Sequence, residues 1–299
     1  MKQRQSFGEI LFDVFNHSML ILLALSTTYP FIFVIANSLS GNGPLIRAEV
    51  FLWPKELTLQ GYQNIFLDGG IFRAYYNTLW YTVVGTLVNV VMTLIAAYPL
   101  SRKSYSLRSP IMVFLAITMF FSGGMVPSYI LIRSLGLYNS RWVMVIPGAV
   151  GTFYIIITRV FFQSNIPEEL TDAARIDGAH GMQIFTRIAV PLSKPIIAVL
   201  MLFYGVGHWG NFMTPLIYLP NPDLQPLSLY LRRILVLGTT NFSTMDEYSE
   251  LMKDVVLVQA VTLRVKYTTI VVTMLPIMCV YPFLQKYFVK GVMIGALKE

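Results

Sequence analysis

Charge is what this sequence has least of. Asp, Glu, Lys and Arg make up 12% of its 299 residues and apolar side chains 55%, with a mean hydropathy of +0.62. Soluble domains carry about 25% charged residues, so an ordinary soluble chain is excluded. None of the four charged types falls between Asp13 and Arg47, Arg73 and Arg102, Arg108 and Arg133, Arg141 and Arg159, Lys194 and Asp223, or Lys266 and Lys286. A helix crossing hydrocarbon needs about 17–25 mainly apolar residues, and each gap can supply one. The Arg141–Arg159 gap is the shortest, but Arg159 can snorkel, and Val160, Phe161 and Phe162 extend it. These gaps predict an all-α membrane protein with six transmembrane helices.

Other absences remove whole classes of chemistry. The single cysteine, Cys279, cannot form an internal disulfide. The three histidines, His17, His180 and His208, are too scattered for a metal site. No Gly-rich loop ends in Gly-Lys-Ser/Thr, so the chain does not hydrolyse ATP itself, and no His-Glu-x-x-His, Gly-x-Ser-x-Gly or Cys cluster offers catalysis. The predicted span interiors lack the carboxylates and basic groups that a secondary transporter or channel uses for ion coupling. A net charge of +7 could signal nucleic acid, but here the basic residues flank apolar runs, where they meet anionic lipid heads.

The predicted spans are His17 to Ala36, Tyr76 to Leu100, a third from Pro110, Trp142 to Phe162, Pro195 to Tyr218, and Tyr267 to Leu284. The first could instead be a signal peptide, since Lys2 and Arg4 precede an apolar run ending near Ala36-Asn37-Ser38. Ser122-Gly123-Gly124 and Pro127 interrupt the third, so its far end should be broken or unwound, as is tolerated only against protein or a wet cavity. Val255 to Leu263 is apolar but too short to span, and reads as a separate helix before the sixth. With no repeat and no low-complexity linker, residues 1–299 read as one domain. Lys and Arg set the orientation. They are denser on the side holding Lys2, Arg4, Arg102, Lys103, Arg108 and Lys286, which places both termini inside and segments 37–74, 122–141 and 219–265 outside.

The most informative stretch is hydrophilic, at about 165–194 between the fourth and fifth predicted spans. Pro167 opens a helix there, and Glu168 and Glu169 complement its positive end. Ala173 and Ala174 favour helix without bulk, and Leu170, Ala173, Ala174 and Asp177 share one face. Gly178 supplies a stop with permissive backbone angles, and a second short helix runs from Met182 to Ala189. By composition alone this is an interfacial hairpin joining two spans.

Its full spacing says more. Asp172-Ala173-Ala174, three residues, Gly178, nine residues, then Ile188-Ala189-Val190-Pro191 resembles the EAA loop of bacterial ABC importer permeases, with Asp172 for the usual Glu and Val190 for the usual Leu. Gly207-His208-Trp209-Gly210-Asn211-Phe212-Met213-Thr214-Pro215-Leu216 looks like the Trp-Asn-x-Phe-x-x-Pro-Leu stretch of carbohydrate importers, in imperfect register around Gly210 and Asn211. Pro282-Phe283-Leu284-Gln285-Lys286-Tyr287-Phe288-Val289-Lys290-Gly291 is similar to their shared C-terminus, and Gly291 to Ala296 to the subgroup taking complex polysaccharide fragments. The resemblance implies that the loop is a coupling helix, with Glu169, Asp172, Ala173, Ala174, Asp177 and Gly178 at the ATPase contact. It also implies two copies of a cytoplasmic ATPase carrying ATP and Mg, a second related permease, and an extracytoplasmic solute-binding protein. This chain itself would carry no cofactor, and would lie in the bacterial plasma membrane.

Two expectations concern the substrate. Tyr204, His208, Trp209, Asn211 and Phe212 form a stripe of aromatic faces and hydrogen-bonding tips suited to sugar, though ordinary packing explains it as well. Asn77 and Asn89 fit helix–helix hydrogen bonding at least as well as ligand contact. Arg232, Arg233, Arg264 and Lys266, with Arg133 and Arg141, could make an entrance that attracts uronate-containing oligosaccharides such as alginate or pectin fragments; alternatively they pair with Asp246, Glu247, Glu250 and Asp254 or with the binding protein. A permease for another solute, such as an amino acid or peptide, is the remaining transport reading.

Overall fold

The computed structural model describes residues 7–67, 69–237 and 255–296, and their side chains over 7–67, 69–235 and 259–279. The described residues are helices joined by turns and short irregular stretches, with no strand among them. In chain order the helices are α1 (Phe7–Ser38), α2 (Asn42–Ile46), α3 (Gln60–Leu67), α4 (Gly69–Ser101), α5 (Arg108–Phe120), α6 (Met125–Ser134), α7 (Thr152–Asn165), α8 (Glu168–Ile176), α9 (Gly181–Ile184), α10 (Val190–Leu192), α11 (Lys194–Trp209), α12 (Met213–Tyr218), α13 (Leu227–Arg232) and α14 (Val255–Ala296). A π-helical turn, Phe185–Ala189, joins α9 to α10.

Among the described residues, three stretches are long and apolar enough to cross a membrane: Phe7–Ser38, Gly69–Ser101 and Gln259–Cys279. Two bent pairs qualify when each is taken together, Arg108–Phe120 with Met125–Ser134 and Gly181–Leu192 with Lys194–Trp209. At 32 residues, α1 outruns the apolar core of about 7–15 residues found in a signal peptide. The third expected span is broken where the sequence places Ser122, Gly123 and Gly124. α5 and α6 meet at 115°, and Gly124 takes a φ of 81° that a side chain would oppose. Pro127 sits in the first turn of α6, where its missing N–H has no helical partner to lose.

Three expectations need correction. The span expected over 142–162 is not one helix: Arg141–Met144 is a 3₁₀ turn, and α7 begins only at Thr152. Pro147 removes a donor and, with Gly148 and Gly151, disfavours helix between them. The 14 residues of α7 reach about 21 Å, short of the roughly 30 Å of hydrocarbon. The fifth helix stops at Trp209 rather than Tyr218, because Gly210 and Asn211 precede a fresh start at Met213. The separate helix expected over 255–263, the sixth span and most of the tail form one helix of 42 residues, Val255–Ala296. Arg264 and Lys266 are good helix formers, so their charge does not end the helix.

Two compact units divide the chain, residues 1–71 with 231–276 and residues 72–230 with 277–299. In the first, the end of α1, α3 and α14 are pinned together. Ser38 Oγ lies 2.8 Å from Tyr62 Oη, Arg264 donates to Gln60 Oε1 at 3.0 Å, and Phe33 meets Tyr267 edge-on at 5.9 Å. In the second, the main core stacks Val90, Leu94 and Ala97 of α4 on Ile155 and Phe162 of α7 and on Ile196, Leu200 and Tyr204 of α11. Spacings of three and four residues put each set on one helical face. A smaller core gathers Tyr81, Ile132, Val143, Met144, Tyr218 and Leu219.

Candidate functional site

The motif segment folds as two short helices about a tight turn. Pro167 is extended (φ −56°, ψ 146°), and α8 follows with Glu168 and Glu169 in its first turn, at the positive pole of the helix. The C-terminus of α8 closes through paired bonds, Gly178 N–H to the Arg175 carbonyl at 3.0 Å and Ala179 N–H to the Ala174 carbonyl at 2.8 Å. This is a Schellman motif with its left-handed residue at Gly178, φ 82°. The second limb is longer than expected, running from Gly181 to Leu192 instead of Met182 to Ala189. His180 N–H donates to Gln183 Oε1 at 3.2 Å at its start, and Ser193 ends it by donating to the Ala189 carbonyl at 2.6 Å.

Almost everything on α8 points away from the protein. Glu169, Asp172, Ala173, Asp177 and Gly178 are exposed, and Ala174 is half-buried. The foot of the helix is Thr171, 4% exposed, whose hydroxyl donates to the Glu168 carbonyl at 2.7 Å. Apolar side chains surround the turn in the open, with Leu170 45%, Ile176 86% and Met182 64% exposed. α8 is thus a tightly capped helix that presents small and apolar residues to the outside.

The loop's root is held by the end of α4. Arg159 of α7 donates to the Leu100 carbonyl at 2.9 Å, Gln163 to the Ser101 carbonyl at 3.4 Å, and Arg102 reaches the Ile166 carbonyl at 3.5 Å. Tyr98 meets Phe162 edge-on at 5.7 Å and Phe185 at 5.1 Å. Lys103 and Glu168 pair at 3.7 Å, both well exposed. Sequence reasoning took Arg102 and Lys103 only as charges closing a span; a π turn at Phe185 has no sequence signature.

The α11 stripe is drawn inward. Tyr204 is buried, with its hydroxyl 2.8 Å from Thr93 Oγ1 and its ring 4.4 Å from that of Tyr154. His208 Nε2 lies 2.6 Å from Asn89 Oδ1, and Asn89 Nδ2 donates to the Gly148 carbonyl. The imidazole rests on Gly85, where an added Cβ would sit 2.5 Å from the ring. Asn211 Oδ1 accepts from Thr214 N–H at 3.2 Å. Trp209 and Phe212 are half-buried. Tyr204 Oη, His208 Nε2 and Asn211 Oδ1 thus have partners inside the chain.

The opposite end of α4 grips another irregular stretch. Asn77 donates to the carbonyls of Asp223 and Gln225, at 2.8 and 3.1 Å, and accepts from Arg141 at 2.9 Å. Tyr81 donates to the Leu224 carbonyl at 2.8 Å, and Leu227 N–H donates to Thr78 Oγ1 at 2.8 Å. Arg73 pairs with Asp223. The Arg141 guanidinium lies over the rings of Tyr76 and Trp80 at 5.3 and 5.8 Å. Arg141 here and Arg264 in the other unit are therefore engaged within the protein. The carboxylates expected to face these cations, Asp246, Glu247, Glu250 and Asp254, lie outside the described residues.

Comparison with known proteins places this geometry. Residues 69–294 match the family described as binding-protein-dependent transport system inner membrane component. The chain is 37% identical to Protein LplC of Bacillus subtilis (strain 168) over 290 residues, 96% of this chain and 95% of that one. It is 36% identical to the polygalacturonan/rhamnogalacturonan transport system permease protein YtcP of the same organism, over 96% of this chain and 98% of that one. A crystal structure of a bacterial ABC transporter involved in the import of the acidic polysaccharide alginate contains a chain that superposes with a TM-score of 0.88 at 29% identity, covering 96% of this chain and 100% of that one.

Proposed function

The chain belongs to the binding-protein-dependent transport system inner membrane component family, and on that premise we propose that it is a membrane-spanning subunit of an ABC importer for oligosaccharides or polysaccharide fragments, uronate-bearing ones included. It is a transport subunit rather than an enzyme. Energy enters from a separate cytoplasmic ATPase dimer that binds ATP and Mg, a second related permease completes the pathway, and an extracytoplasmic binding protein delivers the sugar. Both termini and the 165–194 loop face the cytoplasm.

The observation carrying this reading is α8 itself. Glu169, Asp172, Ala173, Ala174, Asp177 and Gly178 occupy a capped, outward-facing helix whose root is bonded to the end of α4. Alanines at the contact let a groove on the ATPase approach closely. When ATP closes the ATPase dimer, the coupling helices of the two permeases move inward together and the spans open the cavity outward.

YtcP and the alginate importer are named for acidic saccharides, and in some relatives of the resembled family the partner permease holds most of the sugar. In this chain Tyr204, His208 and Asn211 shape the wall through their internal bonds, while the half-buried rings of Trp209 and Phe212 offer faces to sugar C–H surfaces. The test is uptake by the assembled transporter of oligogalacturonides against neutral oligosaccharides of equal length. Uptake of an amino acid or peptide with no saccharide uptake would replace the carbohydrate reading.

A further inference from the structure

Among the buried polar groups, Arg102 is poorly satisfied for its position. Arg102 is 9% exposed, yet its Nε and Nη2 have no hydrogen-bond partner. Its third nitrogen reaches the Ile166 carbonyl only at 3.5 Å, and the guanidinium lies 4.7 Å from the centre of the Tyr98 ring. A buried cation with most donors unused is costly, and such a group calls for an explanation.

Its surroundings say which change. Arg102 follows the last residue of α4, and Ile166 follows the last residue of α7. The C-terminal poles of both helices, each carrying unsatisfied carbonyls and partial negative charge, lie side by side here. They are capped crosswise, with Arg159 and Gln163 of α7 on the Leu100 and Ser101 carbonyls and Arg102 on the Ile166 carbonyl. One turn before Arg102, Tyr98 touches Phe185. Ile166 enters the α8 loop and Phe185 leaves it, within a π-helical turn of the kind that marks functional sites. Both feet of the loop therefore rest on the last turn of α4 and the residue that follows it, Tyr98 to Arg102.

We propose that this crosswise cap, centred on Arg102, is the joint through which movement of α8 is passed to α4. Arg102 is a positioning residue: it holds the Ile166 hinge to α4, and its unused donors take up carbonyls of the α7 terminus when the hinge shifts. The proposal rests on the reading of α8 as the coupling helix and adds the residue that receives its motion.

The test uses the assembled transporter carrying Cys279→Ser, with a spin label on Ile176→Cys at the α8 turn or on Val83→Cys along α4, both exposed positions. In the parent, ATP with vanadate should change the spectra of both labels. With Arg102→Gln the Ile176 label should still respond, while the Val83 response should fall at least fivefold. Arg102→Lys, which keeps the charge but not the planar fork, should retain an intermediate response. That variant also decides the matter if Arg102→Gln does not assemble: a full Val83 response in Arg102→Lys overturns the proposal. So does an unchanged Val83 response in Arg102→Gln, or no Val83 response in the parent. A silent Ile176 label in the parent instead refutes the coupling reading, so the two failures are distinct.

Discussion

Substitution of Gly178 separates backbone strain from side-chain contact at the α8 turn. Gly178 holds φ at 82°, and a Cβ built there meets nothing within 4 Å. Any cost of a substitution must then come from the backbone alone. A left-handed conformation costs an L-residue roughly 1–2 kcal/mol, and a β-branched one more. At 1.4 kcal/mol per factor of ten, Gly178→Ala should lower the population of the closed Schellman turn by about 5–30-fold. Gly178→Val should lower it further, while Gly178→Asn should stay near the parent because Asn tolerates αL. Opening the turn releases two bonds, Gly178 N–H to Arg175 and Ala179 N–H to Ala174, and frays the face that α8 presents. Membrane insertion and core packing should be unaffected. The assay is saccharide uptake and substrate-stimulated ATP hydrolysis by the reconstituted transporter, expected in the order Gly, Asn, Ala, Val. Equal uptake by the Val variant would refute the coupling role of the turn, and an Asn variant as poor as Val would refute the strain argument.

Accessibility provides a second check: in a Cys279→Ser background, a cysteine at Ile176 should react with an impermeant thiol reagent only from the cytoplasmic face, so labelling of intact spheroplasts would reverse the topology. Gly85→Leu should abolish assembly, because a Cβ there would fall 2.5 Å from His208; a stably assembled variant would show that α4 and α11 can part. Asn77→Ala strands Arg141 and two loop carbonyls, and at about 1–3 kcal/mol for buried groups left unmet it should lower the thermal midpoint of the complex by several degrees. Asp223→Asn removes only the exposed partner of Arg73, a pair worth about 0–1 kcal/mol, so a midpoint shift comparable to that of Asn77→Ala would contradict the assignment of weight to Asn77.

Legibility followed the physical range of each signal. The break at Ser122–Gly124 and the φ of Gly178 were readable because glycine acts on its own backbone, with no partner needed. The α8 helix was readable because Glu168, Glu169, Ala173 and Ala174 carry their propensity locally. Helix ends inside apolar runs were not. The stretch from Trp142 to Phe162 is free of charge except for Arg159, yet Pro147, Gly148 and Gly151 keep its first part from joining α7. Hydropathy reads that stretch as membrane-compatible whether or not it is helical. Arg264 and Lys266 act in the opposite sense: their charge suggests a boundary, and the helix runs through it. The partners of Asn77, Asn89 and His208 depend on packing across more than 50 residues of separation. No local pattern specifies them.

Those long-range bonds share a logic that bears on transmission. Along the second unit, several side chains on α4 or at its end bond backbone outside the long helices. Asn77 and Tyr81 bind carbonyls at 223–225, Asn89 binds the Gly148 carbonyl within the break before α7, and Arg102, just past the helix, meets Ile166 at the root of the α8 loop. Buried backbone carbonyls outside helices need partners, and α4 with its following residue supplies them at three levels of a 33-residue helix about 50 Å long. A displacement received near Tyr98 and Arg102 cannot stay local without leaving carbonyls unmet higher up. The cheaper response is for α4 to move with the segments bonded to it, carrying the 219–227 stretch at its far end.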